Sequence, residues 1–122
     1  MSHESLTGRA QAVCERAIEA ASRAVGNPRD EAAILMTCAE LLTDLTLQQR
    51  IAYLVQAQAA CERANARDLC AHVLSAIGRA WITAGDTRQA AAHLTRTARM
   101  FEDLGLASEA ADVRELLALL QP

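Results

Sequence analysis

Alanine is the residue that most constrains this chain: 27 of the 122 residues are alanine, and another 16 are leucine. Both favour helices, whereas strands prefer β-branched and aromatic residues, and only Tyr53, Trp81 and Phe101 are aromatic. Only five glycines and two prolines interrupt this composition. The sequence therefore predicts an all-α fold and disfavours a sandwich, a barrel or an α/β sheet.

The overall size and charge exclude several classes of protein. A chain of this length fits one domain and can bury enough surface to fold without a metal or a disulfide. The net charge of −3 argues against nucleic acid and anionic membranes as partners. Neither a signal peptide nor a spanning apolar stretch is recognisable. The four cysteines form no C-x-x-C motif, so we expect a reduced, cytoplasmic protein.

Helix-ending and helix-capping residues divide the chain into about six helical stretches. Gly26-Asn27-Pro28 ends the first stretch and begins the second, and Thr46 with Gln49 has the pattern of a capping box. Because the connections are short, neighbouring helices are predicted to be antiparallel. The predicted helices cover about 5–25, 29–44, 46–65, 67–84, 87–105 and 109–120.

The chain also repeats its pattern at a distance of 40 residues. When the sequence is displaced by this distance, Leu54 falls on Leu94 and Asn65 falls on Gly105, without a gap. Sequence identity alone would prove nothing in an alanine-rich chain. The shared positions of turns and large apolar residues are the stronger sign of an internal repeat.

The stretch from 71 to 105 resembles the tetratricopeptide repeat (TPR), in its longer variety of about 40 residues. In this pattern Gly78 carries no side chain, so a neighbouring helix can approach it closely. The preceding copy departs from the pattern, for example at Cys38 and Leu45. The matching residues are Leu74, Ile77, Gly78, Trp81, Gly85, Asp86, Ala90 and Leu94.

The resemblance implies a short right-handed α-α superhelix that binds proteins or peptides on its concave face. A single repeat cannot bury its own apolar face, so neighbouring repeats must stack. We therefore predict one TPR-like domain over residues 1–122. Its parts are a flanking helix (5–25), a degenerate repeat (29–65), a clear repeat (67–104) and a C-terminal helix (107–121).

In such a superhelix, one row of residues on the second, fourth and last helices would line a largely apolar groove. This groove would suit an amphipathic helix or an apolar extended segment of a partner protein. The alternative is that these residues are core, because a helix that is apolar all round is normally buried, here under the first helix. The predicted groove residues are Leu35, Met36, Ala39, Leu42, His72, Ala76, Arg79, Ile82, Asp112, Glu115, Leu116 and Leu119.

The last helix is apolar around most of its circumference, because Leu116, Leu117, Leu119 and Leu120 surround it. Terminal repeats normally present a polar outer face. One hypothesis is that this helix docks against a partner or a second copy, which would make the protein a structural or regulatory homodimer. The alternative is that the helix packs into the end of the stack as ordinary core.

Nothing in the sequence indicates catalysis or a cofactor. Phosphate-binding, dinucleotide-binding and zinc-protease motifs do not occur. Cys61, Cys70 and His72 are the nearest approach to a thiol or metal sensor, but they lack the usual ligand spacing and a fourth ligand, so no metal site is predicted. Cys14 and Cys38 fall on core faces, where thiols act as inert space-filling groups.

Overall fold

The computed structural model describes residues 3–23, 27–42 and 45–120 and shows an all-α protein. The fold class is therefore confirmed, and the described residues contain no strand. The predicted helix ends at Val25, Asp44 and residue 121 lie outside the described residues. The described residues form six helices: α1 (His3–Arg23), α2 (Pro28–Leu41), α3 (Leu47–Arg63), α4 (Arg67–Thr83), α5 (Thr87–Asp103) and α6 (Ala107–Leu120).

Three of the described helices begin at a residue whose side chain caps the first turn. The Thr46 hydroxyl accepts from the Gln49 backbone N–H at 3.1 Å, and the Gln49 side chain accepts from the Thr46 N–H at 2.9 Å. This is the predicted capping box of α3. The side chains of Asn27 and Asp86 likewise accept from backbone N–H groups in the first turns of α2 and α5. These caps satisfy amide donors that have no partner within the helix.

Three helix ends in the second half of the chain recur at intervals of 20 residues. Asn65, Gly85 and Gly105 have φ angles of 54°, 80° and 77° and follow α3, α4 and α5. This left-handed conformation ends a helix at little cost for glycine and is best tolerated by asparagine among the other residues. Two helix-and-turn segments of 20 residues account for the 40-residue period in the sequence.

The helices form two compact units, which we call unit 1 (Met1–Asn65) and unit 2 (Ala66–Pro122). In unit 1, α2 packs against both α1 and α3; in unit 2, α5 packs against both α4 and α6. The boundary between the units coincides with the predicted boundary between the degenerate and the clear repeat. The single TPR-like domain over 1–122 stays a prediction.

The core of unit 2 depends on the close approach of α4 and α5 at Gly78. A Cβ atom on Gly78 would lie only 2.7 Å from Cγ and Cδ2 of Leu94, which is fully buried. The close approach predicted for this glycine is therefore confirmed. Further along, Ala71, Phe101 and Val113 join α4, α5 and α6 in one apolar cluster, which we call the unit 2 cluster.

One apolar cluster of unit 1 lies between α1 and α2. Cys14, Cys38 and Leu42 are buried at its centre. Buried apolar residues of α3, among them Leu54 and Ala57, add to the core of this unit. Polar contacts also join α3 to α2: Arg63 donates to the Glu31 carboxylate at 3.0 Å, and Arg50 donates to the Leu42 carbonyl at 3.1 Å. The partly buried residues around the cluster are Ile18, Ile34, Leu45 and Tyr53.

Candidate functional site

The outer face of α4 carries the predicted row of binding residues. His72 and Arg79 are exposed, and Ala76 and Ile82 are half-buried. Leu74 and Ile77, on the opposite arc, are only 1% exposed and belong to the core. The helix is thus divided into a core arc and an accessible arc, as its apolar spacing predicts.

His72 is held at a defined position on this face by an aromatic contact. Its ring centroid lies 5.3 Å from that of Phe101, with the planes inclined by 67°. Edge-to-face pairs of this kind are favourable. Phe101 is buried in the unit 2 cluster, so α5 fixes the imidazole of α4 while the residue itself stays exposed.

The outer face of α6 carries the second part of the row. Asp112 and Glu115 are exposed, Leu116 is half-buried, and Leu119 has 82% of its surface exposed. Leu116 packs against the unit 2 cluster, and so does Ile82 of α4, so the two rows border the same apolar core. We call the accessible residues of the two rows the unit 2 surface: His72, Ala76, Arg79, Ile82, Asp112, Glu115, Leu116 and Leu119.

The charged groups of the unit 2 surface are available to a partner. Within the described part of the chain, no salt bridge engages Arg79, Asp112 or Glu115. Neighbouring charges are paired instead: Arg114 donates to Glu102, and Arg67 lies 3.7 Å from Asp103. The surface therefore combines apolar side chains with unpaired charges of both signs.

The predicted groove residues of α2 lie in a different environment. Leu35 and Ala39 are 1% exposed and Leu42 is 3% exposed, and Met36 is half-buried. The reason is that α2 lies between α1 and α3, which cover both of its sides. Leu35, Ala39 and Leu42 are therefore core residues, as the alternative interpretation expects, and the groove assignment does not hold for them.

Unit 1 instead brings together two thiols that the sequence did not pair. Cys14 of α1 and Cys38 of α2 are both buried and belong to the same apolar cluster. We call them the thiol pair. Burial, with a smaller contribution from the neighbouring Cys14 thiol, raises the pKa of Cys38 from 9.0 to about 12. A signal for this pairing was present, because both residues lie 12 positions from Gly26 in an antiparallel hairpin.

The thiol pair lines a cleft between α1 and α2 with a volume of about 290 Å³. None of the described side chains that line this cleft is charged. Tyr53 lines a different and more polar cleft of about 240 Å³. Burial and then the charge of Glu15 raise the pKa of this tyrosine. The residues around the first cleft are Cys14, Ala17, Ala33, Ile34, Thr37, Cys38 and Leu41.

The cysteines singled out from the sequence have ordinary structural surroundings. Cys61 is buried in unit 1, where its thiol donates to the Gln58 carbonyl at 3.1 Å. Cys70 is buried in unit 2, whereas His72 on the same helix is exposed. Among the described residues, no group of three or more His, Cys, Asp and Glu side chains is arranged to hold a metal ion.

Comparisons with known proteins assign the chain to no family. No family model matches the chain, and no characterised protein or solved structure shows significant similarity to it. Among the helices described, none has the length and apolar character that crossing a bilayer requires. The interpretation of the site therefore depends on the residues themselves.

Proposed function

We propose that the chain is a non-enzymatic, TPR-like interaction module, an adaptor or a small chaperone of the cytoplasm. Its unit 2 surface binds an apolar helical or extended segment of a partner protein. The observation that carries this proposal is the accessible row on α4 and α6, where half-buried and exposed apolar residues lie beside unpaired charges. Peptide-binding helical surfaces combine apolar contacts with polar groups that set orientation.

The chemistry of the row defines the kind of segment that fits. The small side chain of Ala76 leaves room for an apolar side chain of the partner beside Ile82. Arg79 can donate to a carboxylate on the partner, because its guanidinium is exposed and unpaired among the described residues. Asp112 and Glu115 favour a basic residue at the other end of the segment. An amphipathic segment with charges of both signs meets these requirements.

A single large substitution tests this assignment. Ala76→Arg places a bulky charged side chain in the middle of the row, and Ala92→Arg places the same side chain on the exposed face of α5 as a control. Proteins retained by the unmodified chain from its native cells are identified by mass spectrometry, and the recovered partner is then titrated calorimetrically. We expect Ala76→Arg to weaken binding at least about tenfold, and Ala92→Arg to leave it unchanged. Equal binding by both variants would contradict the proposal.

A second candidate function is self-association through α6, and the exposure of Leu119 favours it. An apolar side chain that is 82% exposed can meet its symmetry-related copy across a two-fold axis. Sedimentation velocity distinguishes the two functions. If α6 forms a dimer, Leu119→Glu gives monomers, whereas Ala92→Glu does not. If the unmodified chain sediments as a monomer at about 100 µM, this candidate is excluded.

A further inference from the structure

The environment of the thiol pair in unit 1 differs from that of a single cysteine in a protein core. Cys14 and Cys38 belong to neighbouring helices, are buried in the same apolar cluster and line the same cleft. Both cysteines are free thiols. Small side chains such as Ala17 and Ala33 line the cleft beside the pair, and small residues allow two helices to approach closely.

We propose that Cys14 and Cys38 form a reversible disulfide site that links α1 covalently to α2. A disulfide requires two Cα atoms about 4.4–6.8 Å apart and Cβ vectors that converge. The shared cluster and the shared cleft place both side chains at the contact between α1 and α2, where such a bond would form.

The access that small molecules have to the pair favours reaction over inertness. Buried thiols are usually unreactive, because the thiolate is the nucleophile and reagents do not reach it. The cleft that both cysteines line gives a reagent access to the pair, and its uncharged walls admit an uncharged oxidant.

An uncharged, low-molecular-weight disulfide is the oxidant class that fits this cleft. The Cys14 thiolate attacks one sulfur of the reagent, which gives a mixed disulfide and releases one small thiolate. The Cys38 thiol loses its proton to that leaving group and attacks the Cys14 sulfur, which releases the second small thiol. The two cysteines lose two electrons and two protons in total, and the reagent is reduced to two thiols.

The link would fix α1 on the cluster that it covers. Within the described part of unit 1, α1 packs chiefly against α2, so few other contacts hold it in place. A cross-link between residues 24 positions apart restricts the unfolded chain and stabilises the fold. The state of the thiol pair would therefore determine how firmly α1 covers Leu42 and its neighbours.

The experiment uses the full chain in its native state. The reduced protein is incubated with bis(2-hydroxyethyl) disulfide, alkylated with iodoacetamide in denaturant, and mapped by mass spectrometry. We expect an intramolecular Cys14–Cys38 link, and a melting temperature about 10 °C higher, which reductant reverses. Cys61→Ser and Cys70→Ser are matched controls that keep both effects, whereas Cys14→Ser and Cys38→Ser abolish them.

Two results would overturn the proposal. One is the accumulation of mixed disulfides at Cys61 or Cys70 while Cys14 and Cys38 remain fully alkylatable. The other is a mixed disulfide at Cys14 that never closes on Cys38. Both readouts are made on the unmodified chain, so neither depends on whether a variant folds. Neither readout involves the unit 2 surface, so failure here would leave the binding proposal untouched.

Discussion

The two units place the same kind of helix in different positions. In unit 1, α2 lies between α1 and α3, and its apolar row is covered. In unit 2 the corresponding helices, α4 and α6, lie on either side of α5 and keep an accessible face. The comparison shows that position within a unit, and not composition alone, determines whether an apolar row is core or surface. The predictions below test this difference.

Leu35→Ala should give the largest effect. Leu35 is 1% exposed, and removing a buried leucine leaves a cavity, so we expect a loss of about 3 kcal/mol in the free energy of unfolding. Leu119→Ala is the matched control in unit 2, and its change should stay within about 0.5 kcal/mol. Urea denaturation followed by circular dichroism measures both. Similar small changes would mean that Leu35 is a surface residue after all.

Gly78→Ala should give the next effect and tests the core of unit 2. The new Cβ would lie 2.7 Å from the buried Leu94 side chain. Overpacking costs about 1–3 kcal/mol, and the better helix propensity of alanine offsets up to about 1 kcal/mol.

We expect a net loss of about 1–2 kcal/mol for Gly78→Ala in urea denaturation. The control is Gly8→Ala in α1, where no atom lies within 4 Å of the added Cβ. That change should stabilise the chain by up to about 1 kcal/mol. Stabilisation by both substitutions would show that α4 and α5 are further apart than described.

Removal of a helix cap should affect both units to the same degree. Thr46→Ala in unit 1 and Asp86→Ala in unit 2 each delete a side chain that accepts from a backbone N–H. We expect each to lower the free energy of unfolding by about 1 kcal/mol, because capping is a local interaction. Gln48→Ala, an exposed neighbour of the first cap, serves as the control. A much larger loss in one unit would indicate that its cap has a tertiary role.

Alkaline pH should weaken unit 1 through the thiol pair. The folded-state pKa of Cys38 is raised from 9.0 to about 12, so between these values the unfolded chain releases a proton that the folded chain retains. Stability is therefore full below about pH 9 and decreases as the pH rises towards 12. The groups that face this thiol are Cys14 and Tyr53, with Glu15 nearby.

The measurement is the urea midpoint between pH 8 and pH 10. In Cys38→Ala the decrease should be smaller, although Tyr53, whose pKa is also raised, keeps a part of it. Cys70→Ala in unit 2 should show the same decrease as the unmodified chain. An identical pH dependence in Cys38→Ala and the unmodified chain would refute this role of Cys38.

Local sequence signals predicted most of the fold. Thr46 and Asp86 mark helix starts through hydrogen bonds within one turn. Gly78 indicates a close helix contact because it has no side chain. Such features depend on neighbours in the sequence, so they can be recognised without a structure. The accessible face of α4 was predicted from the spacing of the apolar residues on that helix.

The remaining features depend on contacts that the sequence does not specify locally. The row of Leu35 has the same spacing whether neighbouring helices or a partner protein cover it, so its burial could not be decided from periodicity. The pairing of Cys14 with Cys38 required the hairpin geometry of α1 and α2. Their equal distance from Gly26 was the signal that went unused.

Hydroxyl-radical footprinting of the native chain tests the central claim most directly, because it measures the accessibility of individual side chains. The account predicts rapid labelling of Leu119 and His72 on the unit 2 surface and strong protection of Leu35 and Leu42 on α2. Labelling of Leu35 at the rate of Leu119 would contradict it, since the apolar row of α2 would then be open and the difference between the two units would disappear.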